Sequence, residues 1–379
     1  MTDYTTILTI TCAALMSFLL VFLSVPTILR VAYYKNLFDE PGKRHIHKKK
    51  VPNLGGLGIF IGFLFTYTFF LNWFDFDSVP FLIPSLLVIF SIGIKDDILV
   101  TAPMMKLLGQ ILAAFIVVGF GDIRITDFHG FFGLQPDYFT SLGVSILLII
   151  FIVNGFNLID GVDGLAGISG VISTLSFSVW FFLNNDMHAT IIGVIVIGSL
   201  LAFLYYNVFS KTQKIFMGDS GSMVIGFILA VLAIRFMEAN ASAVRDNLNI
   251  PMTSAPAVAV GILIVPVIDT IRVFFLRLSR GNSPFVADKN HIHHRLLTLG
   301  FSHIQVALIL GLVNILFIAI SFLLKDFGML KLMALNLVLG FVVFYIPAIF
   351  IRRKAKKNTQ FVMQPRLVGK PVYFNTCIR

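Results

Sequence analysis

Charge is what this chain has least of. Asp, Glu, Lys and Arg make up 13% of its 379 residues, against 57% hydrophobic, and that balance excludes a soluble protein. Long polar stretches are almost absent too, which leaves no room for a separate soluble domain. There are two cysteines, Cys12 in the first apolar run and Cys377 in the tail. They are too few for a metal knuckle and imply no disulfide framework. No positive charge stands among Met1 to Thr6, ahead of the first apolar run, so that run reads as a retained first span rather than a cleaved signal peptide. The formal net charge is +10, yet no basic, aromatic-interleaved soluble stretch accompanies it, which excludes nucleic acid as a partner.

What the chain has is apolar runs long enough to cross a bilayer, for which about 17–25 residues suffice. They fall at about 5–33, 54–74, 79–95, 104–120, 140–158, 165–184, 188–209, 221–238, 255–278, 303–324 and 328–351. The expectation is an all-α polytopic integral membrane protein with about eleven transmembrane helices, ten being the alternative count. A single membrane domain covers 1–351, and 352–379 form a basic tail. Of the 29 Lys and Arg, 24 lie in the tail or beside loops that join an odd-numbered span to the next even-numbered one. By the positive-inside rule those loops and the C-terminus are cytoplasmic and the N-terminus is outside. Arg352, Arg353, Lys354, Lys356 and Lys357 follow the last span directly and read as a stop anchor that also attracts anionic membrane lipids.

Ionisable groups at membrane depth are expensive unless paired, solvated or bound to a ligand, and so read as functional. The densest group is Asn154, Asn157, Asp160 and Asp163, within a stretch ending at Gly164 that closes one apolar run and opens another. In a helix, steps of three residues would drift these side chains about 60° each around the axis. A helix end opening into a Gly-broken loop is expected instead. Such a loop can aim several oxygens at a hard cation with a phosphate; a merely polar connector is the alternative. Asp96 and Asp97 end the third run and repel each other unless a cation, Lys95 or Lys106 neutralises them. An ion-paired span end accounts for them equally well.

Gly218 to Ser222 would offer backbone N–H groups to an anion at a helix start, with Asp219 holding a bridging cation. An ordinary N-cap by Ser220 or Ser222 is the simpler reading. His291, His293 and His294 do not share a helix face and have no Cys or Glu beside them, which makes zinc the minor alternative. With Lys289 and Arg295 flanking, imidazole donors for a sugar or phosphate fit better. Asp269 and Arg272 read as a helix ion pair. Loops on the other side carry no comparable cluster. A transporter would take such groups through the midplane in broken helices, so the one-sided arrangement favours chemistry at the cytoplasmic surface. An ion-coupled transporter and a non-catalytic scaffold are the competing classes.

Five motifs, in order over nearly the whole chain, carry a closer likeness. They are Asp39, Pro41, Arg44, His47, Pro52 and Gly55–Gly56; Asp96–Asp97 with Lys106 to Gln110; Asn154 to Leu165; Met217 to Ser222; and His291 to Arg295. On these the chain resembles the polyprenyl-phosphate N-acetylhexosamine-1-phosphate transferases, in particular the bacterial undecaprenyl-phosphate N-acetylglucosaminyl-1-phosphate transferases. The resemblance implies a multi-pass enzyme of the bacterial inner membrane, its active site facing the cytoplasm. It implies a Mg²⁺-dependent reaction, with Mn²⁺ as the alternative ion, between UDP-N-acetylglucosamine and undecaprenyl phosphate. The products would be undecaprenyl-diphospho-N-acetylglucosamine and UMP, the first membrane step of a cell-surface polysaccharide such as lipopolysaccharide or cell wall polymer.

By motif, Asp219 and Asn157 would ligate the metal, and Asp96, Asp97 and Asp219 would form the catalytic set. Lys106, Asp160 and Asp163 would hold the nucleotide. His291, His293, His294 and Arg295 would meet the sugar and diphosphate, and Asn154 and His47 join the substrate-binding set. The spacing at His291 looks like the N-acetylglucosamine branch, since the related phospho-N-acetylmuramoyl-pentapeptide transferases carry three consecutive histidines. Another UDP-N-acetylhexosamine or UDP-muramoyl pentapeptide is the alternative donor. The run Lys48–Lys50 departs from the pattern and leaves that loop's contacts open, as is the formation of a homodimer.

Overall fold

The computed structural model describes residues 4–37, 51–71, 81–99, 101–131, 135–241, 247–281 and 291–362. Among the described residues there are thirteen helices and no strand: α1 Tyr4–Lys35, α2 Gly55–Phe70, α3 Leu82–Ile98, α4 Pro103–Phe115, α5 Tyr138–Ile159, α6 Leu165–Leu183, α7 Met187–Leu204, α8 Gly218–Ala239, α9 Ala255–Ile262, α10 Ile264–Leu278, α11 Ile292–Leu299, α12 His303–Leu323 and α13 Met329–Val362. Wider π-type turns, Ile116–Phe120 and Tyr205–Phe209, extend α4 and α7. Among the described residues eight helices are long and apolar enough to cross a membrane, and α9 with α10 makes up to nine. The protein is therefore membrane-embedded and polytopic. Of the remaining expected runs, α2 is a shorter apolar helix, and α3 carries Lys95, Asp96 and Asp97 in its last turn.

The run expected as one span at 255–278 is broken. α9 and α10 meet at Leu263 with a bend of 86°. Pro266 sits in the first turn of α10; it has no N–H, and in a continuous helix its ring would clash with the carbonyl four residues back, that of Ile262. That freed carbonyl accepts a hydrogen bond from Ser173 Oγ at 2.8 Å. A break at membrane depth is tolerated where a neighbouring side chain satisfies the backbone in this way.

α8 is the buried centre. Every residue from Ser220 to Met237 is buried except Arg235, and α8 packs against α2, α3, α5, α6 and α9. A helix apolar all round is suited only to such a place. Glycines let α2 and α3 come close to its N-terminus. A Cβ on Gly56 would run into the Gly221 backbone and the Ser220 hydroxyl, and one on Gly93 into the Ser220 backbone. The orphan N–H groups that begin α2 are met by the strand-like approach of the segment ahead of α8: Gly55 and Gly56 donate to the carbonyls of Phe216 and Met217, both at 2.8 Å. Gly56→Ala is accordingly expected to cost about 1–3 kcal/mol of stability through overpacking. It should lower the unfolding temperature in detergent, whereas Gly143→Ala, where nothing lies within 4 Å of the new Cβ, should be near neutral.

The opposite end of α8 corrects one expectation, because it too holds a polar cluster. Arg235 forms a two-pronged ion pair with Asp186, at 2.6 and 3.0 Å. Glu238 accepts from the N–H and hydroxyl of Thr126, at 2.7 and 2.6 Å, and Tyr67 is hydrogen-bonded to His188 at 2.9 Å. These residues are scattered over four separate stretches of sequence, so no local motif announced them. Asp186 and Glu238 are each taken up by a partner residue from another part of the chain.

Candidate active site

Four helix ends meet at the other end of the bundle: the last turns of α3 and α5 and the first turns of α4 and α8. Pro103 opens α4, where a missing N–H costs nothing, and Lys106 follows in its first turn. A cation there works against the helix dipole, and two carboxylates supply the opposing charge. Lys106 Nζ lies 2.5 Å from Asp96 Oδ2 and also bonds Asp219 Oδ2. Lys106, Asp96 and Asp219 keep 26%, 15% and 27% of their side-chain surface exposed, so a ligand can reach all three. Asp96 is held in place by the Thr101 N–H at 2.8 Å and by the Thr101 hydroxyl.

Asp97, the neighbour of Asp96, does different work. Its two oxygens accept the N–H groups of Asp219 at 2.7 Å and Ser220 at 3.0 Å, and the Ser220 hydroxyl at 2.5 Å. It is a cap supplied to α8 from another helix, satisfying N–H groups left without an intrahelical partner. The helix start expected to receive a phosphate thus receives the carboxylate of Asp97, and neither Ser220 nor Ser222 caps it. Gly218 turns the chain into α8 with φ of +72°, in the left-handed region that suits glycine.

α5 runs further than expected. Asn154 and Asn157 lie on the helix, and only Asp160 to Gly164 form the loop. Asn157 Nδ2 donates to Asp219 Oδ1 at 3.1 Å and to Ser222 Oγ at 2.9 Å. Asn154, one turn earlier, faces Gln110 in a reciprocal amide pair, at 2.7 and 3.3 Å. Asp160 reaches the cluster and accepts from the Gly218 N–H; burial, together with the charges of Asp219, Asp97 and Asp163, pushes its carboxyl well above the usual carboxylate range. Asp163 points elsewhere, to Lys214 Nζ at 2.6 Å and His303 Nδ1 at 3.0 Å. Burial alone would raise it, but those two partners outweigh burial and hold it low. Asp163 and Lys106, both expected at the nucleotide, thus have different ion-pair partners. Asn207 completes the loop's anchorage, accepting from the Gly164 N–H at 2.7 Å and donating to Ile215 O at 2.9 Å.

The histidines begin α11 rather than a loop. His291 is its N-cap residue, and its ring stacks over His293, 5.8 Å away and tilted by 8°. A Cβ on Gly161 would run into the His293 ring, so the His segment packs directly against the Asp160 loop. Burial, and then the charge of His294, push His293 down to about 3, so it is a neutral imidazole. His294 and Arg295 follow half-buried on α11. His47 lies outside the described residues.

Asp96, Asp160, Asp219 and Asn157 can offer only oxygen as ligating atoms, the donor chemistry of a hard divalent cation. Two carboxylates, those of Asp96 and Asp219, share the one ammonium of Lys106, so it does not balance their charge. Among the described residues, no group of three or more His, Cys, Asp or Glu is arranged to hold a metal ion alone. What the geometry supplies is a half-open anionic corner with one ammonium beside it, able to bind a cation that brings further oxygens of its own.

A membrane-embedded helical bundle with acids gathered at one end is the class that fold and site define, and sequence comparison narrows it. Residues 79–237 match the family described as glycosyl transferase family 4, and the chain belongs to the polyprenyl-phosphate N-acetylglucosamine-1-phosphate transferases. It is 32% identical over 301 residues to the decaprenyl-phosphate N-acetylglucosaminephosphotransferase of Mycobacterium leprae, covering 72% of this chain and 73% of that one. With the probable undecaprenyl-phosphate N-acetylglucosaminyl 1-phosphate transferase of Bacillus subtilis it shares 28% over 335 residues, 83% and 84% of the two chains. The undecaprenyl-phosphate alpha-N-acetylglucosaminyl 1-phosphate transferase of Escherichia coli K12 is 24% identical over 337 residues, 88% of each.

Proposed function

We propose that this protein transfers N-acetylglucosamine 1-phosphate from UDP-N-acetylglucosamine to undecaprenyl phosphate at the cytoplasmic face of the inner membrane. The observation that carries the reading is the convergence of Asp96 and Asp219 on the Lys106 ammonium, with Asp160 and Asn157 beside them. In the reaction an oxygen of the lipid phosphate forms a bond to the phosphorus that bears the sugar. The bond from that phosphorus to the bridging oxygen breaks, and the electron pair leaves with UMP. A phosphate monoester has its second pKa near about 6 and is largely dianionic at cytoplasmic pH, so little proton removal is required. The protein's task is positioning and charge neutralisation.

Mg²⁺, with Mn²⁺ as the alternative, would be held by Asp219 with Asn157 and Asp96, and would neutralise the diphosphate as negative charge gathers on the departing UMP. Mg²⁺ is commonly bound by one or two carboxylates plus substrate phosphates rather than by an all-protein cage, which suits this corner. Lys106 lies close enough to turn its ammonium from the carboxylates to a phosphate oxygen. Asp96 places the acceptor phosphate, Asp97 places Asp219, and the α11 histidines with Arg295 stand on the side of the Asp160 loop where the donor's sugar and diphosphate would lie. The acceptor's chain remains in the bilayer between helices, which gives a physical reason for building this chemistry in a membrane.

Purified protein given undecaprenyl phosphate and UDP-N-acetylglucosamine should release UMP with Mg²⁺ and stop when EDTA removes it. Release only with UDP-muramoyl pentapeptide or another UDP-N-acetylhexosamine would keep the mechanism and overturn the donor. Folded protein silent with every donor would overturn the reaction and favour ion-coupled transport.

A further inference from the structure

Asp269 lies outside the acid corner, yet it is 1% exposed and takes three hydrogen bonds. Its Oδ1 accepts from Arg272 at 2.7 Å and from the Ile292 N–H at 2.9 Å, while its Oδ2 meets His291 Nδ1 at 2.9 Å. With the Arg272 guanidinium and the Ile292 backbone N–H both donating to it, the carboxylate is held in its acceptor-only, ionised form. Nδ1 of His291 must then carry a proton, which leaves Nε2 as the ring's other polar atom. The same carboxylate ties down the first N–H of α11, so one buried group sets both the ring and the helix that carries His293 against Gly161. The His293 Nδ1 has no hydrogen-bond partner among the described residues. The place of this segment is therefore set by packing and by the His291 anchor.

We infer that Asp269 is a positioning residue for the donor side of the site: through His291 it fixes the ring tautomer and holds the α11 segment against the Asp160 loop. The inference rests on the proposed reaction only for its kinetic arm. Carboxylates that orient a metal-ligating histidine contribute about 10–100-fold, and an effect of that order is expected for a histidine oriented toward a substrate. Asp269→Asn can keep Oδ1 toward Arg272 and Ile292 while turning its NH₂ toward His291. That reverses the ring: Nδ1 becomes the acceptor and Nε2 carries the proton.

The test uses the full-length protein in detergent with ¹⁵N-labelled histidine. The His291 signal, assigned by its loss in His291→Ala, should report a protonated Nδ1 in the wild type and a protonated Nε2 in Asp269→Asn. Asp269→Asn should raise KM for the UDP-sugar about 10–100-fold, leave KM for undecaprenyl phosphate unchanged, and have no further effect in a His291→Ala background. An unprotonated Nδ1 in the wild type, or an equal loss with and without His291, overturns the inference. If Asp269→Asn fails to fold, the wild-type spectrum still decides. If the wild type releases no UMP from any donor, the reaction is wrong while the tautomer result continues to test the anchor.

Discussion

Asp219→Asn should slow UMP release by roughly 10³-fold without unfolding the protein. Metal assistance to phosphoryl transfer is worth several kcal/mol, and each 1.36 kcal/mol or so is a factor of ten in rate. Asp219 is the acid on which the cluster turns, touching Lys106 and Asn157 and carrying the backbone N–H that Asp97 accepts. Asparagine keeps that N–H and the shape but removes the charge. Lys106 retains Asp96 as a partner, so no buried charge is abandoned and the unfolding temperature should shift little. A second readout separates metal binding from folding: the Mg²⁺ concentration for half-maximal rate should rise in the variant. Full activity in Asp219→Asn would remove the cluster from the mechanism.

Asp97→Asn should behave differently, losing stability and activity together. The carboxylate accepts three hydrogen bonds from the start of α8, and the amide can accept with only one of its two ends. The other end faces donors with a donor, leaving at least one N–H or O–H group unsatisfied at a cost of about 1–3 kcal/mol. The unfolding temperature should fall, and turnover should fall about 10–100-fold because Asp219 is no longer held in register. Ser220→Ala removes one of the three bonds and should give a smaller loss in the same direction. Wild-type thermal stability with abolished turnover in Asp97→Asn would mean that Asp97 touches the substrate directly.

Much of this was legible in the sequence. The apolar runs mark helices because little else accommodates uninterrupted apolar stretches of that length, and the Gly-spaced acids mark a turn. The drift of about 60° per three residues is instructive. It argued against a helix through Asn154 and Asn157, but the helix is there, and the drift is what sends Asn154 to Gln110 and Asn157 to Asp219. The role of Asp97 was not legible, because a helix start and a carboxylate 122 residues earlier share no local pattern. Asp269 was read as the partner of Arg272, and that pair forms at 2.7 Å. Its larger task depends on a partner 22 residues away, beyond the reach of any helix periodicity. Pro266 stood in plain view, but whether a proline kinks a span or breaks it depends on neighbours such as Ser173, which only the fold reveals.

The order of the chain gives the buried position of α8 a meaning for biogenesis. Of the helices it packs against, α2, α3, α5 and α6 are all made before it, and only α9 follows. Chains are synthesised from the N-terminus at about 5–20 residues per second, so α8 enters a membrane in which most of its socket already waits. Its arrival places Asp219 beside Asp96, Lys106 and Asn157, and closes the anionic corner while the ribosome is still at work. The histidine segment, anchored from α10, is made later, ahead of α12 and α13. A nascent chain thus acquires its acid corner before its histidine segment, and the two are joined where Gly161 meets His293.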